Sequence, residues 1–357
     1  MPNLTLARQR LRNQHLSEPV FDQPEAVVDW LCAVQSQDYT AAKWALGMRS
    51  KGSVDAAIEQ AFTDGAILRT HVMRPTWHFV TPADIRWMLA LTAPRVHTAA
   101  SYYYRQLELD EALFARCEAL MVKALAGGKQ WMRTELGALL TEAGIVTDDL
   151  RLGHIVMHAE LEAVICSGAR RGKQFTYALL DERAPHARIL ARDEALAELT
   201  RRYFVSHGPA TIQDFVWWSG LTVADAKAGL DSVRAQLIEE VIDGTSYWLS
   251  DSSVITSENS AFLLSNYDEY LVGYKDRSAS FNMPNIHDLD PRGNFLFSHA
   301  IVIDDQIVGT WKRTFKKSEV VITPKFLAPL TPAQDQAFAD AARHFSEFTG
   351  LAVKIQM

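Results

Sequence analysis

The chain has 357 residues, enough for two or three domains, and its apolar fraction of 48% supplies packed cores. A net charge of −7 argues mildly against a nucleic-acid partner. Cys32, Cys117 and Cys166 show neither CxxC nor metal-ligand spacing and suit a reducing cytoplasm. No apolar signal core follows Met1, and no run of about 18 apolar residues occurs, so neither export nor membrane insertion is expected.

In chain order, residues 4–16 read as an arginine-rich helix. Asp22-Gln23-Pro24 opens a second one, with an acid as cap and proline in the first turn. Val27, Leu31 and Val34 carry its buried stripe. A third short helix, 53–61, closes near Gly65, and 66–80 reads as a basic, proline-interrupted hairpin. Three helices and a hairpin make a winged helix. The order returns with a helix at 113–125, a second capped by Thr134 and ended by Gly144, and a third opened by Asp148-Asp149. A hairpin over 165–179 completes this copy. A third copy follows: a helix at 195–206, one capped by Pro209-Ala210-Thr211, one capped by Thr222, and a hairpin at 238–249 turning at Asp243-Gly244. Degenerate tandem repeats account for this order. Beyond it lie a hairpin at 300–311, a strand at 320–322, a capping box at Thr331-Pro332-Ala333-Gln334 opening a helix to about Phe348, and a last strand at 351–355. The expected fold class is α+β: three tandem winged-helix units (1–100, 101–185, 186–252) and a small mixed, barrel-like β domain (253–357).

Gln35-Ser36-Gln37-Asp38 ends the apolar run of the second helix. On a helix, side chains i and i+2 diverge; on extended chain they share a side, and two amides there can hold one water. The plainer reading is two ordinary polar-face glutamines. Basic side chains gather in three acid-free stretches: Arg69, His71, Arg74 and His78; Arg170, Arg171 and Lys173; Lys312, Arg313, Lys316 and Lys317. Each set either neutralises phosphates or covers strand edges in solvent. Asp38 is a base candidate or, more simply, a helix cap. His154 and His158 have a spacing that suits zinc, but neither a glutamate between them nor a third ligand is evident, so no metal is expected. Asp268, Asp276 and Arg277 read as a structural ion-pair network, Trp217 and Trp218 as core.

Several segments together resemble the AlkZ-like winged-helix DNA glycosylase family. They are Ala33–Asp38, Leu68–His78, Arg151–His158, Gly208–Thr211, Asp214–Leu221, Tyr267–Arg277 and Val308–Arg313, in order along nearly the whole chain. The resemblance implies three winged helices around a concave duplex-binding face and excision of alkylated purines, crosslinking adducts included. It places the family's glutamine–aliphatic–glutamine motif on Gln35 and Gln37, with Ser36 departing at the middle position. The expectation is thus a cytoplasmic, monomeric, cofactor-free DNA glycosylase on double-stranded DNA, alkylated or crosslinked. The alternatives are a non-catalytic winged-helix DNA-binding module and, with only the acidic charge behind it, an interaction protein that no longer meets DNA.

Overall fold

The computed structural model describes residues 4–250, 260–281 and 298–356; the expected boundary at 252/253 lies outside them. The first region runs α1 (Leu4–Asn13), α2 (Pro24–Leu31), β1 (Val34–Gln35), α3 (Tyr39–Gly47), α4 (Asp55–Asp64), β2 (Leu68–Val72) and β3 (Arg74–Val80). Gln23, not Asp22, is the N-cap of α2 and gives no side-chain bond. The helix stops at Leu31, short of Val34, because Cys32 turns to φ 69°. The expected reading had no α3. All its residues except Thr40 are buried, so it shows no 3.6-residue stripe for a sequence pattern to reveal. A Cβ on Gly47 would stand 2.5 Å from the Phe348 ring, which fixes glycine at the end of α3. Gly65, at φ 85°, closes α4 as expected.

Next come α5 (Ile85–Gln106), α6 (Glu111–Leu125), β4 (Trp131–Met132), α7 (Arg133–Glu142), α8 (Asp149–Leu161), β5 (Ile165–Ser167), β6 (Thr176–Leu179) and the short α9 (Leu180–Arg183). The 22-residue α5 was also not expected; it carries Pro94 inside it, a residue that ordinarily marks a helix boundary. Met132, not Thr134, is the N-cap of α7, its N–H bonded to Glu135 at 2.6 Å. Asp148 caps α8 as expected, accepting from the Arg151 N–H at 2.9 Å. Then follow α10 (Arg192–His207), α11 (Ile212–Ser219), α12 (Val223–Val233), β7 (Ile238–Ile242) and β8 (Thr245–Leu249). The caps of Thr211 and Thr222 and the Asp243-Gly244 turn form where the sequence placed them.

One order of elements recurs. α2–β1–α3–α4–β2–β3 matches α6–β4–α7–α8–β5–β6, and the two three-stranded sheets share a topology, β1-β3-β2 and β4-β6-β5. In the third stretch, α10–α11–α12–β7–β8, an isolated bridge between Ala210 and Trp248 stands where the short first strand falls in the others. α1 lies outside this pattern.

The last region holds β9 (Ala261–Leu263), α13 (Glu269–Val272), β10 (His299–Ile303), β11 (Gln306–Phe315), β12 (Glu319–Phe326), α14 (Pro332–Thr349) and β13 (Ala352–Ile355). Its sheet has the order β13-β12-β11-β10-β9, with only β12–β13 parallel. It is no separate appendage. Its buried face, α14, and α2–α4 share one core, in which Trp44 packs on Phe345 and Phe348 and donates to the Leu263 carbonyl at 2.6 Å. A second core joins β2–β3 and α5 to α10–α12, and a third lies within α6–α8. Among the described residues no helix is long and apolar enough to cross a membrane.

Candidate active site at the glutamine segment

The left-handed turn at Cys32 releases the chain from α2, and Asp38 starts α3 by accepting from the Ala41 N–H at 3.0 Å. Between these two points the chain is extended through β1 and then bends at Gln37 and Asp38. Gln35 pairs opposite His78, and the Ser36 N–H donates to the Trp77 carbonyl at 2.7 Å. Both glutamine amides turn to β3: Arg74 Nη2 donates to Gln35 Oε1 at 3.1 Å, and the Trp77 N–H donates to Gln37 Oε1 at 3.4 Å. Gln35 is 8% exposed, whereas Gln37 faces solvent. Ser36 between them is wholly buried, and its hydroxyl finds no hydrogen-bond partner among the described residues.

Behind Gln35 stands a carboxylate that sequence reasoning missed. Glu269 opens α13, which Asp268 caps, and it is fully buried. Its Oε1 accepts from the Gln35 N–H at 3.0 Å; its Oε2 accepts from Trp218 Nε1 at 2.9 Å and lies 3.3 Å from His207 Nε2. Burial alone would raise its pKa, but these donors outweigh it and hold the carboxyl below its ordinary range. Asp268 makes a two-pronged pair with Arg49 at 2.8 and 3.0 Å, so its structural reading stands. Asp276 instead accepts from the Ser278 N–H, and Arg277 lies over Trp217, which is 40% exposed rather than core; Trp218 is fully buried.

The cations of the first hairpin do not line an exposed edge. Arg69 is 6% exposed, held between Trp77 and Phe175 with its guanidinium carbon 4.4 Å from each ring, and Nε donates to the Ser36 carbonyl. Burial brings its pKa down to about 10. His71 Nδ1 lies 2.5 Å from Glu160, and His78 is fully buried with Nδ1 bonded to the Thr76 carbonyl. Burial, and then Arg74, push the His78 pKa down to about 3. Arg74 is half-buried beside Gln35, its pKa lowered by burial. The physical reason is a second hairpin: β5 packs on β2, and the Arg69 N–H donates to Ser167 Oγ at 2.8 Å.

The other predicted contacts divide. Arg170 pairs with Glu59 at 3.2 Å over the Tyr39 ring, and Arg171 pairs with Glu135 at 2.6 Å. Lys173 and Lys312 are exposed. Arg313 is half-buried and reaches to 4.0 Å from Asp38, which also accepts from Asn266 Nδ2 at 3.3 Å. A cavity of about 500 Å³ opens beside Trp77, lined by His71, Trp77, Arg133, His154 and Tyr177 among others. The segment thus offers two anchored amides, a buried one held by the Arg74 side chain and a surface one held by the Trp77 N–H, over a fixed negative charge and next to an aromatic-walled recess.

The chain is thus a mixed α/β protein with three helix-and-hairpin stretches and a glutamine pair on and beside the short first strand. A family model described as DNA glycosylase AlkZ-like matches residues 28–348, and the chain belongs to that family. It is 24% identical over 338 residues to an interstrand DNA cross-link repair glycosylase of Streptomyces sahachiroi, covering 88% of each chain. The solved structure of Streptomyces sahachiroi DNA glycosylase AlkZ shares its fold, with a TM-score of 0.78, 20% identity and full coverage of both chains.

Proposed function

We propose that this protein is a monofunctional DNA glycosylase that hydrolyses the N-glycosidic bond of alkylated purines in duplex DNA, including purines that tie the two strands together. The observation that carries the reading is that Gln35, on β1, and Gln37, in the bend just after it, lie off the helix with both amide oxygens anchored on β3. An N-alkylated purine is cationic and already a good leaving group, so no strong general acid is required. What the reaction needs is a placed water and support for an oxocarbenium-like sugar. Each anchored amide keeps a second lone pair and its NH₂ donors for that water. The buried charge of Glu269, one peptide behind Gln35, fixes that backbone and adds a negative potential toward the developing cation. Glu269 is here a positioning residue.

In this reading the chain carries three winged helices, within 1–100, 101–185 and 186–252, ahead of the β domain at 253–357. The recurring order of helix, short strand, two helices and hairpin supports it. Gln35 then sits on the short first strand of the first unit. Double-stranded DNA is the partner of this monomer, and the exposed Lys173 and Lys312 are the direct phosphate contacts. The buried Arg69, His71 and His78 and the half-buried Arg74 shape the first hairpin instead. The buried, unpartnered Ser36 hydroxyl favours the second reading, a DNA-binding module without catalysis. Duplexes carrying N7-alkylguanine or N3-alkyladenine separate the two. Release of the base with an abasic product is the expected result, and tight binding without release would establish the module.

A further inference from the structure

Away from the glutamines, α5 and α8 bring together two imidazoles and a carboxylate. His97 lies on α5; His158 is in the last turn of α8, and Glu162 follows four residues later. The Glu162 N–H still donates to the His158 carbonyl at 2.9 Å, so the helical turn continues and both side chains share one face. One ligand atom from each of His97, His158 and Glu162 lies within 4.8 Å of the others. We infer that His97, His158 and Glu162 form a binding site for one zinc-class divalent ion, which ties α5 to α8.

Three observations support the site besides proximity. First, the outer nitrogen of each ring is already engaged: His158 Nδ1 is 2.9 Å from Glu118 Oε1, and His97 Nδ1 is 3.0 Å from the Tyr104 hydroxyl. A metal-binding imidazole commonly has its second nitrogen oriented in this way. The ring of His158 is also fixed in plane, stacked on Phe114 at 3.6 Å and 9°. Second, His97 Nε2 stands 2.9 Å from Glu162 Oε1, so an imidazole nitrogen and a carboxylate oxygen already converge on one point, where a cation would replace their direct contact. Ligand atoms about 2.0–2.2 Å from a tetrahedral zinc lie about 3.4 Å apart, within reach of small rotations of the half-buried His97 and the exposed Glu162. Third, a cavity of about 380 Å³ opens on His97 and Glu162, so a fourth position has room for water. Two imidazoles and one carboxylate suit zinc better than magnesium or calcium, which take oxygen donors. His154, the partner that spacing suggested, instead stacks on Tyr103.

The test uses the full chain, untagged and stripped with a chelator. Calorimetric titration with Zn²⁺ should give one ion per chain, and Co²⁺ should produce visible d–d absorption at the same stoichiometry. Glu118→Ala should weaken Zn²⁺ binding roughly 10- to 100-fold by removing the acceptor that orients His158 Nδ1. His97→Ala and Glu162→Ala, at a half-buried and an exposed position, should weaken it further than that and remove the Co²⁺ bands. Circular dichroism of each variant separates loss of the site from loss of the fold. Absence of saturable binding to the folded wild-type chain would overturn the inference. So would wild-type affinity in folded His97→Ala and Glu162→Ala.

Discussion

At the residue scale the two glutamines part company. Gln35 accepts a charge-assisted bond from a half-buried arginine, so Gln35→Ala leaves Arg74 Nη2 short of an acceptor and should cost about 1.5–3 kcal/mol of stability. Gln37 is exposed and its bond to Trp77 is long, so Gln37→Ala should change stability by less than about 0.5 kcal/mol. If both amides act on one water, each substitution should lower excision by roughly two to three decades in single-turnover assays. The double variant should then fall well short of the product of the two effects. Fully multiplicative losses would mean that the glutamines act separately. The break in the helix before Gln35 was legible only as a condition of cooperation between the amides: the stripe expected through Val34 favoured two polar-face glutamines, whereas Cys32 ends α2 at Leu31. Glu269 was not: it lies among acidic and aromatic neighbours, and only the fold carries it to Gln35 from 234 residues away. His78 yields a pH prediction. Its neutral ring is buried, whereas the unfolded chain protonates near pH 6.5. Unfolding between pH 6.5 and about 3 therefore takes up a proton. His78 contributes this stability fully above pH 6.5 and loses it as pH falls, by about 1.4 kcal/mol per unit. Urea unfolding of wild type and His78→Gln should show equal slopes near pH 7.5 and, below about pH 5.5, a slope smaller by nearly one proton in the variant.

At the element scale, most caps and turns could be read locally and packing could not, although α2 and α7 start from Gln23 and Met132 and not from the expected Asp22 and Thr134. Thr211, Thr222, Thr331 and the Asp243-Gly244 and Asp304-Asp305 turns satisfy backbone groups within a few residues, so their chemistry is written in adjacent letters. The two-residue strands β1 and β4 exist only through hairpins more than 40 residues away, and α3 and α5 lack the stripe or the uninterrupted run that pattern reading needs. The β2–β3 hairpin shows what this means for function. Its basic letters suggest an exposed wing, but β5 and the Trp77 and Phe175 rings cover it. Arg69→Ala removes two cation–π contacts and a bond to the Ser36 carbonyl. It should cost about 1–3 kcal/mol in thermal or urea unfolding and loosen the glutamine segment. Its effect on binding should follow the loss of folded protein. A variant of unchanged stability with weakened DNA binding would show instead that the hairpin opens to meet the duplex.

At the scale of the whole molecule, an acidic chain must present cations locally if it is to hold a duplex. Several of its cations are already committed within the chain: Arg49 to Asp268 and Arg69 to aromatic rings in the interior, Arg170 to Glu59 part-buried, and Arg171 to Glu135 at the surface. Net charge therefore says little about the binding face, and exposure says more. Phosphate neutralisation releases condensed counterions, so log K should fall linearly with log salt, with a slope of about −0.9 per phosphate contacted. Lys173 lies at the turn between β5 and β6 and Lys312 on β11, both exposed and in separate sheets. If both face the duplex, Lys173→Ala and Lys312→Ala should each make the slope shallower by about 0.9, alike for all sequences, because backbone contacts carry no sequence information directly. Being at the surface, neither change should move stability by more than about 0.5 kcal/mol. Titrations of a fluorescent duplex from about 50 to 200 mM salt measure the slope. A wild-type slope near zero would remove DNA as the partner. A steep wild-type slope unaltered in both variants would place the duplex on another face and leave the glutamines without their substrate from the side assigned here.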